Sequence, residues 1–216
     1  MPARRTVGAF TLMAVALVAG ALVLGHGHGA DHGRRCADNR AVDLGGQTIT
    51  AIDLDGKPLR CANLEGSTVD GPIGQANLSG ANLHRATLRD GAMTDVDLTG
   101  ADLSRAVARS AEFTGVKLNR ADLGGADLRD STLTDVGLTQ AQLRDTDLRA
   151  VAFVRTDLQG ADARGADLTG ATLTDSNLRG ARLDGADLGG TTWVNVVCPD
   201  GAKSTDGSCE GHLHPR

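Results

Sequence analysis

Residues 101–128, ADLSRAVARSAEFTGVKLNRADLGGADL, decide the fold of this chain. Every fifth residue of this stretch is apolar, and the series consists of Leu103, Ala108, Phe113, Leu118, Leu123 and Leu128. The same spacing continues without a slip from Leu78 to Trp193, and 22 of its 24 positions hold a large apolar residue. A second residue, small or β-branched and most often alanine, lies two positions before each of them. Neither a helix nor a flat strand has a period of five, so the pattern excludes both as the main element.

The spacing of the two apolar positions predicts how each five-residue unit folds. Side chains two residues apart on an extended chain point to the same side, so the small and the large residue both face inward. The three remaining positions are polar, small or glycine and face outward. A unit that always buries the same two positions must turn a corner each time. Four corners close a square, which predicts a coil of 20 residues.

A second pattern supports the 20-residue coil. When every fourth unit is taken, the large positions fall into columns, and one column reads Met93, Phe113, Leu133, Phe153, Leu173 and Trp193. This column holds every aromatic residue of the repeat. Another column, at the small position, is alanine in every coil from Ala81 to Ala181. Equivalent residues of successive coils are therefore predicted to stack about 4.8 Å apart, as neighbouring strands do.

With these motifs the chain resembles the pentapeptide-repeat family, whose motif A-(D/N)-L-x-x recurs at residues 101–103, 121–123, 126–128, 166–168 and 186–188. The resemblance implies an all-β fold, a right-handed quadrilateral β-helix (a pentapeptide-repeat solenoid) with about 20 residues per coil. It also implies leucine at the interior centre and alanine at the corners. The rod that results has a dry centre and no cleft. Such a resemblance specifies the fold much more closely than the function.

The first 30 residues are predicted to be a signal peptide or an N-terminal membrane anchor that forms an apolar helix. Arg4 and Arg5 precede an uncharged apolar run, residues 7–24. Cleavage could follow Ala21 or Gly25, and an uncleaved anchor stays open because the run is long for a signal. We therefore expect the chain to be exported, and to be either secreted or anchored to the outer face of the cell membrane.

Four further regions follow segment 1–30: a linker at 31–41, irregular N-terminal repeats at 42–70, the regular solenoid at 71–197 and a cysteine-containing cap or tail at 198–216. The irregular repeats are one residue out of phase with the regular ones, and the slip falls within residues 70–74, DGPIG. Glycine and proline permit a tight turn there. The slip is interpreted as an irregularity absorbed at one corner rather than as a projecting recognition loop.

All four cysteines lie outside the clean repeat, at Cys36, Cys61, Cys198 and Cys209. An even number of cysteines in an exported chain suggests two disulfides, and the pairs Cys36–Cys61 and Cys198–Cys209 are favoured because each closes one end locally. A zinc site is disfavoured because no C-x-x-C pair occurs. The tail resembles that of exported actinobacterial pentapeptide-repeat proteins. Together with Trp193, which could close the interior, the tail is interpreted as a cap rather than as a calcium loop.

Histidines are the remaining candidate ligands, and five of the six lie near the ends: His26, His28, His32, His212 and His214. A flexible histidine-rich segment can bind a transition metal, but a polar linker is the simpler interpretation. We expect no cofactor and no resident metal. The sixth histidine, His84, is predicted to be a solvated surface residue without a nucleophile or carboxylate partner.

The outward positions also form columns, and one of them is a possible docking strip that consists of Arg89, Arg109, Arg129 and Arg149. On the same face, the residue before each interior position becomes aspartate from Asp127 onward. Stacked like charges repel, and neighbouring columns of opposite charge offset that repulsion. The strip is therefore either a charged surface for a partner or a self-neutralising ladder, and the second interpretation is preferred.

No catalytic set is visible, so the chain is expected not to be an enzyme. The preferred hypothesis is an exported or membrane-tethered module that binds an unidentified protein partner, or acts structurally, at the cell envelope. A second hypothesis follows from the resemblance, because a few family members mimic B-DNA and bind DNA gyrase. Residues 41–197 contain 22 acidic and 15 basic residues, which suits such mimicry and argues against nucleic-acid binding. A third hypothesis is metal handling by the terminal histidines.

Overall fold

The described part of the chain is an all-β solenoid. The computed structural model describes Cys36 and residues 42–50, 54, 59–204 and 207–214. These residues form a right-handed solenoid of about seven turns with about 20 residues per coil, and they contain no helix. In particular, no helix among them is long and apolar enough to cross a membrane. Segment 1–30, with its expected apolar helix, lies outside the described residues.

Ten short strands make two parallel sheets. The strands are β1 (Thr48–Thr50), β2 (Thr68–Asp70), β3 (Ile73–Gly74), β4 (Thr87–Arg89), β5 (Ala92–Thr94), β6 (Glu112–Thr114), β7 (Thr132–Thr134), β8 (Ala152–Val154), β9 (Thr172–Thr174) and β10 (Thr192–Val194). One sheet has the order β1-β2-β4 and the other has the order β10-β9-β8-β7-β6-β5-β3. Single parallel bridges continue the stacking on the remaining sides of the rod. Each strand is only two or three residues long because a corner follows it.

The rod has four faces, which we number by the interior column that each contributes. Face 1 contributes Leu83, Leu103 and Leu123; face 2 contributes Leu88, Ala108 and Leu128; face 3 contributes Met93, Phe113 and Leu133; face 4 contributes Leu98, Leu118 and Leu138. All of these side chains are buried. On face 3 the register runs from Met93 through Phe113 and Phe153 to Trp193, so the predicted 20-residue stacking is confirmed.

The corners are made by residues in the left-handed backbone region. From residue 85 to residue 195 every fifth residue has a positive φ, between 48° and 72°. Glycine adopts this conformation without strain, as at Gly185 with a φ of 72°, whereas a residue with a Cβ atom pays about 1 kcal/mol. Aspartate and arginine occupy many of these corners, and alanine occupies one, at Ala150. The requirement for an inward pair of side chains in every unit therefore outweighs the local preference of the corner residue.

The phase slip is absorbed in one corner. Bridge partners in this part of faces 1 and 2 lie 19 residues apart, as for Asn63 and Asn82, whereas Ile73 and Met93 on face 3 lie 20 apart. The shortened corner contains Gly71, whose φ is 90° and whose amide donates to the carbonyl of Arg89. No loop projects there, because the chain passes directly from β2 to β3.

A folded-back tail and two disulfides close the ends. Val197 pairs in antiparallel fashion with Lys203, and Trp193 is buried beneath Leu173. Cys36 is bonded to Cys61, and Cys198 is bonded to Cys209, which are the two pairs favoured by the sequence. The second disulfide is completely buried, and Leu213 packs against the core. The tail thus caps the C-terminal end next to the last coil.

Candidate docking face

Face 2 carries the candidate docking strip. Arg89 ends strand β4, and Arg109, Arg129 and Arg149 occupy the equivalent outward position in the next three coils. Two residues before each arginine lies another outward column, in which Thr87 pairs with Val107 and the following members are Asp127, Asp147, Asp167 and Asp187. The structure therefore brings the four predicted arginines onto one face, together with these four aspartates.

Arginine and aspartate alternate along this face in one continuous network. The guanidinium group of Arg129 donates two hydrogen bonds of 2.9 Å to Asp127, and Arg109 donates a third, 2.6 Å long, to the same carboxylate. Arg149 binds Asp147 in the same bidentate manner, and Arg129 reaches the Asp147 carboxylate at 3.2 Å. Arg149 also lies 3.5 Å from Asp167. We call this set, from Arg109 to Asp167, the Asp–Arg ladder.

The ladder stabilises its members in the charged state. Burial by itself would raise the pKa of Asp127, but hydrogen bonds from Arg129 and Arg109 outweigh it and lower the pKa to about 2. The hydrogen bond from Arg149 lowers the pKa of Asp147, although burial opposes it. In turn, the bond to Asp147 raises the pKa of Arg149. Bidentate pairs of this kind keep their geometry better than single exposed ion pairs, because two parallel hydrogen bonds fix the planes of both groups.

The four predicted arginines are therefore not equivalent. Arg109, Arg129 and Arg149 are occupied by aspartates of their own face, which supports the interpretation as a self-neutralising ladder. Arg89 is exposed and makes no ion pair with any described residue. The sequence columns located these residues correctly. They did not distinguish the occupied arginines from the unoccupied one.

A buried carboxylate, Asp162, lies on face 1 and was not singled out from the sequence. Asp162 accepts hydrogen bonds from Arg164 at 2.8 Å and from Arg144 at 2.6 Å, and its side chain is only 9% exposed. The bond from Arg164 holds the pKa of Asp162 well below its usual range, against the effect of burial, and the bond from Arg144 adds to it. The signal that could have found it is the same 18-residue offset that places Arg109 beside Asp127.

His84 has partners, contrary to the expectation of an isolated surface residue. Its Nδ1 atom lies 2.8 Å from the hydroxyl of Ser104, which is 2.6 Å from Asp102. A carboxylate can only accept, so Ser104 donates its proton to Asp102 and His84 donates to Ser104. His84 therefore cannot take the Ser104 proton as a general base would. The same hydroxyl-to-carboxylate bond occurs between Thr169 and Asp167, which indicates a recurring turn contact.

A shallow groove departs from the expectation of a rod without a cleft. It has a volume of about 560 Å³ and lies beside the Cys36–Cys61 disulfide. The residues that line it include the corner glycines Gly80 and Gly100, together with Asp97 and Arg120. The lining contains no histidine and no free thiol.

Each terminal histidine that the structure describes lies near a carboxylate. His212 lies 3.0 Å from Asp200, and His214 lies 3.8 Å from Asp184. Within the described ranges, no group of three or more histidine, cysteine or acidic side chains is placed to hold a metal ion. The predicted histidine-rich stretch from His26 to His32 lies outside those ranges. The contact between His214 and Asp184 joins the tail to the regular coils, whereas the contact between His212 and Asp200 lies within the tail.

Two of the solved structures that resemble this chain are described first. The chain is similar in structure to HetL of Nostoc sp. strain PCC 7120, a pentapeptide repeat protein involved in heterocyst differentiation regulation, with 26% identity over 76% of this chain and 92% of HetL and a TM-score of 0.39. It is also similar to QnrB1, a plasmid-mediated fluoroquinolone resistance protein, with 20% identity over 72% of this chain and 90% of QnrB1 and a TM-score of 0.40.

A third similar structure is a pentapeptide repeat protein of the Arabidopsis thaliana thylakoid lumen, with 26% identity over 52% of this chain and 82% of that one and a TM-score of 0.36. No curated protein sequence matches the chain. The family model for pentapeptide repeats matches it in 8 copies, at residues 74–105, 111–149 and 153–190. These segments cover half of the chain and coincide with the coils described above, so the chain belongs to the pentapeptide-repeat family.

Proposed function

We propose that this chain is a non-enzymatic solenoid that binds a protein partner at the cell envelope, as an exported or membrane-tethered module. The observation that carries the proposal is the rigid display of side chains on flat faces. Backbone hydrogen bonds link each coil to the next, for example from Leu103 to Asp122 at 2.6 Å, so equivalent residues are held in fixed rows. Because these residues are already fixed in position, the solenoid loses little conformational entropy when a partner binds.

Two observations support an exported location. Both disulfides join cysteines outside the regular repeat, and every described cysteine is paired. Structural disulfides persist mainly in oxidising compartments. The sequence of segment 1–30, with Arg4 and Arg5 before an apolar run, has the pattern of an export signal or an anchor.

The test is localisation of a C-terminally tagged chain, combined with N-terminal sequencing of the mature form. We expect recovery from the envelope or the medium, with specific co-precipitation of a partner from envelope fractions. A variant that lacks residues 1–30 is the matched control and should stay in the cytosol. Recovery of the full chain only from the cytosol would refute the location.

A second candidate function is a DNA-mimicking regulator of DNA gyrase. The excess of acidic residues in the repeat region favours it. The Asp–Arg ladder counts against it, because arginines neutralise the carboxylates that would imitate phosphates. A supercoiling assay with residues 31–216, which form one compact unit, would decide the question. No inhibition at micromolar concentrations would remove this candidate.

A further inference from the structure

The Asp–Arg ladder stops before the N-terminal coils, although the arginine column continues. In four successive coils the outward position two residues before the arginine column holds an aspartate: Asp127, Asp147, Asp167 and Asp187. In the two preceding coils the same position holds Thr87 and Val107, which are half-buried and carry no charge. Arg129 and Arg149 each bind the aspartate two residues before them, and Arg89 and Arg109 have no such carboxylate in their own coils.

Four arginines surround this uncharged gap. Arg89 and Arg109 lie on one side of Thr87 and Val107, and Arg85 and Arg105 lie on the other, at the corner between faces 1 and 2. We call these four residues the arginine patch. All four are exposed, and three of them, Arg85, Arg89 and Arg105, form no ion pair with any described residue. Arg109 binds Asp127, which lies on the side away from the patch.

The arrangement leaves like charges stacked without compensation. Arg85 and Arg105 occupy equivalent corner positions of adjacent coils, since Thr87 is paired with Val107. The backbones of adjacent coils are about 4.8 Å apart, so two positive side chains leave the rod from neighbouring rows. Carboxylates do lie nearby: the Cα of Asp70 is paired with that of Arg89, and Asp90 follows it in the chain. Neither of these aspartates makes an ion pair with Arg89 in the described structure.

From this geometry we infer that the arginine patch docks an acidic segment of the protein partner. Asp127 accepts hydrogen bonds of 2.6 Å from Arg109 and 2.9 Å from Arg129. A partner carboxylate placed over Val107 would take the equivalent position one coil earlier, between Arg89 and Arg109. Two carboxylates side by side would complete the two coils that lack them. The inference rests on the proposed function, because it names the chemistry of the partner that the solenoid would bind.

The size and surroundings of the patch favour a protein segment over a nucleic acid. The patch spans only two coils, whereas a nucleic acid binds through many phosphate contacts along its backbone. The chain as a whole carries a net charge of −5, which repels a long polyanion. A short acidic segment needs to place only two carboxylates at the patch. The rest of such a segment need not lie along the acidic coils.

The test supplies the missing carboxylates within the chain itself. Residues 31–216 are titrated against a fluorescein-labelled peptide of six glutamates at low salt, and binding is followed by fluorescence anisotropy. We expect binding that weakens as salt is added. In the double variant T87D/V107D we expect affinity about tenfold lower, because aspartates at these positions occupy Arg89 and Arg109 as they do in the ladder. The variant R89Q/R109Q should lose affinity similarly.

The matched control is the double variant T134D/V154D, which adds the same two charges to face 3. We expect it to bind the peptide like the unaltered chain, and thermal unfolding should show that both double variants are folded. The inference is overturned if the glutamate peptide does not bind, if both aspartate variants lose affinity equally, or if an oligothymidylate of equal charge binds more tightly than the peptide. Capture of a partner from envelope fractions that the T87D/V107D variant retains would also overturn the inference, while the proposed function would stand.

Discussion

The hydroxyl of Ser131 donates a hydrogen bond to the carbonyl oxygen of Ala108, 2.8 Å away and 23 residues earlier in the chain. Thr146 makes the same bond to Leu123 at 2.9 Å. Both residues occupy the small interior position that is alanine in most units, and both are buried. A hydroxyl can therefore replace alanine in the interior, because the preceding coil offers it an acceptor.

Ser67 is the exception, and replacing it should stabilise the protein. It occupies the same position and is buried, but its hydroxyl has no hydrogen-bond partner in the described structure. The variant Ser67→Ala removes an unsatisfied polar group, so we expect the free energy of unfolding to rise by about 1 kcal/mol. Ser131→Ala is the control and should lower it by about 1 to 2 kcal/mol, because it deletes a satisfied hydrogen bond. Urea denaturation measures both, and changes of equal sign would contradict the prediction.

Corner residues offer a second pair of variants with opposite outcomes. Ala150 forms a corner with a φ of 55°, which costs a residue with a Cβ atom about 1 kcal/mol. Ala150→Gly should therefore raise the free energy of unfolding by up to about 1 kcal/mol. Ala152→Gly, two residues later in strand β8, should lower it by about 0.5 to 1 kcal/mol. If Ala150→Gly destabilises the protein as Ala152→Gly does, the corner is not strained.

Acid should weaken the Asp–Arg ladder within a defined range of pH. The pKa of Asp127 is about 2 in the folded protein, below its value of about 3.9 in an unfolded chain. Its contribution to stability is therefore complete above about pH 4 and is lost as the pH falls towards 2. Asp127→Asn should remove that contribution, about 1 kcal/mol, and flatten the dependence of stability on pH below 4. Denaturation midpoints measured between pH 2 and 7 check this, and an equally steep acid limb in the variant would count against it.

The two disulfides should differ in their accessibility to reductant. Cys198 and Cys209 are completely buried, whereas Cys36 and Cys61 are partly exposed. Under native conditions a thiol reductant should therefore open Cys36–Cys61 first, and alkylation followed by mass spectrometry would identify the cysteines released. In guanidinium chloride the order should disappear. Early release of Cys198 and Cys209 from the native protein would show that the tail does not cover them.

Loss of either disulfide should also destabilise the protein. The bonds close sequence separations of 25 and 11 residues, for which the chain-entropy model gives about 3 kcal/mol each. The variants C36A/C61A and C198A/C209A, compared by thermal unfolding, measure these contributions. The second variant should lose more, because it also frees the tail that covers Trp193. Equal losses would indicate that the tail stays in place without its bond.

The sequence predicts the stacking of this fold in detail because burial imposes it. Met93, Phe113 and Trp193 share one column in the sequence and one register in the structure, since a dry interior accepts only apolar side chains at fixed intervals. The backbone conformation of the corners is harder to predict from the sequence. A left-handed φ is required at Gly185 and Ala150 alike, so the type of residue at a corner does not reveal its backbone conformation.

The surface contacts could be predicted only in part, because they depend on where long side chains extend. The columns located Arg129 and Asp127 on one face, but not the choice of each arginine between the aspartate of its own coil and that of the next. The bond between His84 and Ser104 joins residues 20 positions apart, and it follows only once the coil length is applied to polar residues as well. The columns do show that Thr87 and Val107 precede the aspartates, but not that Arg89 is left without an ion pair in the described structure.

The bond between Cys36 and Cys61 determines how the solenoid would carry a mechanical load. Any pulling force applied upstream of Cys36 reaches the rod through the two sulfur atoms, beside Gly80, and bypasses the chain between them. The first coil, with Ile49 and Leu54 in its interior, therefore bears none of the tension. Without this bond the terminus would unfold one coil at a time from its end. With the bond, the force enters the rod at Cys61, so unfolding must begin beyond the first coil.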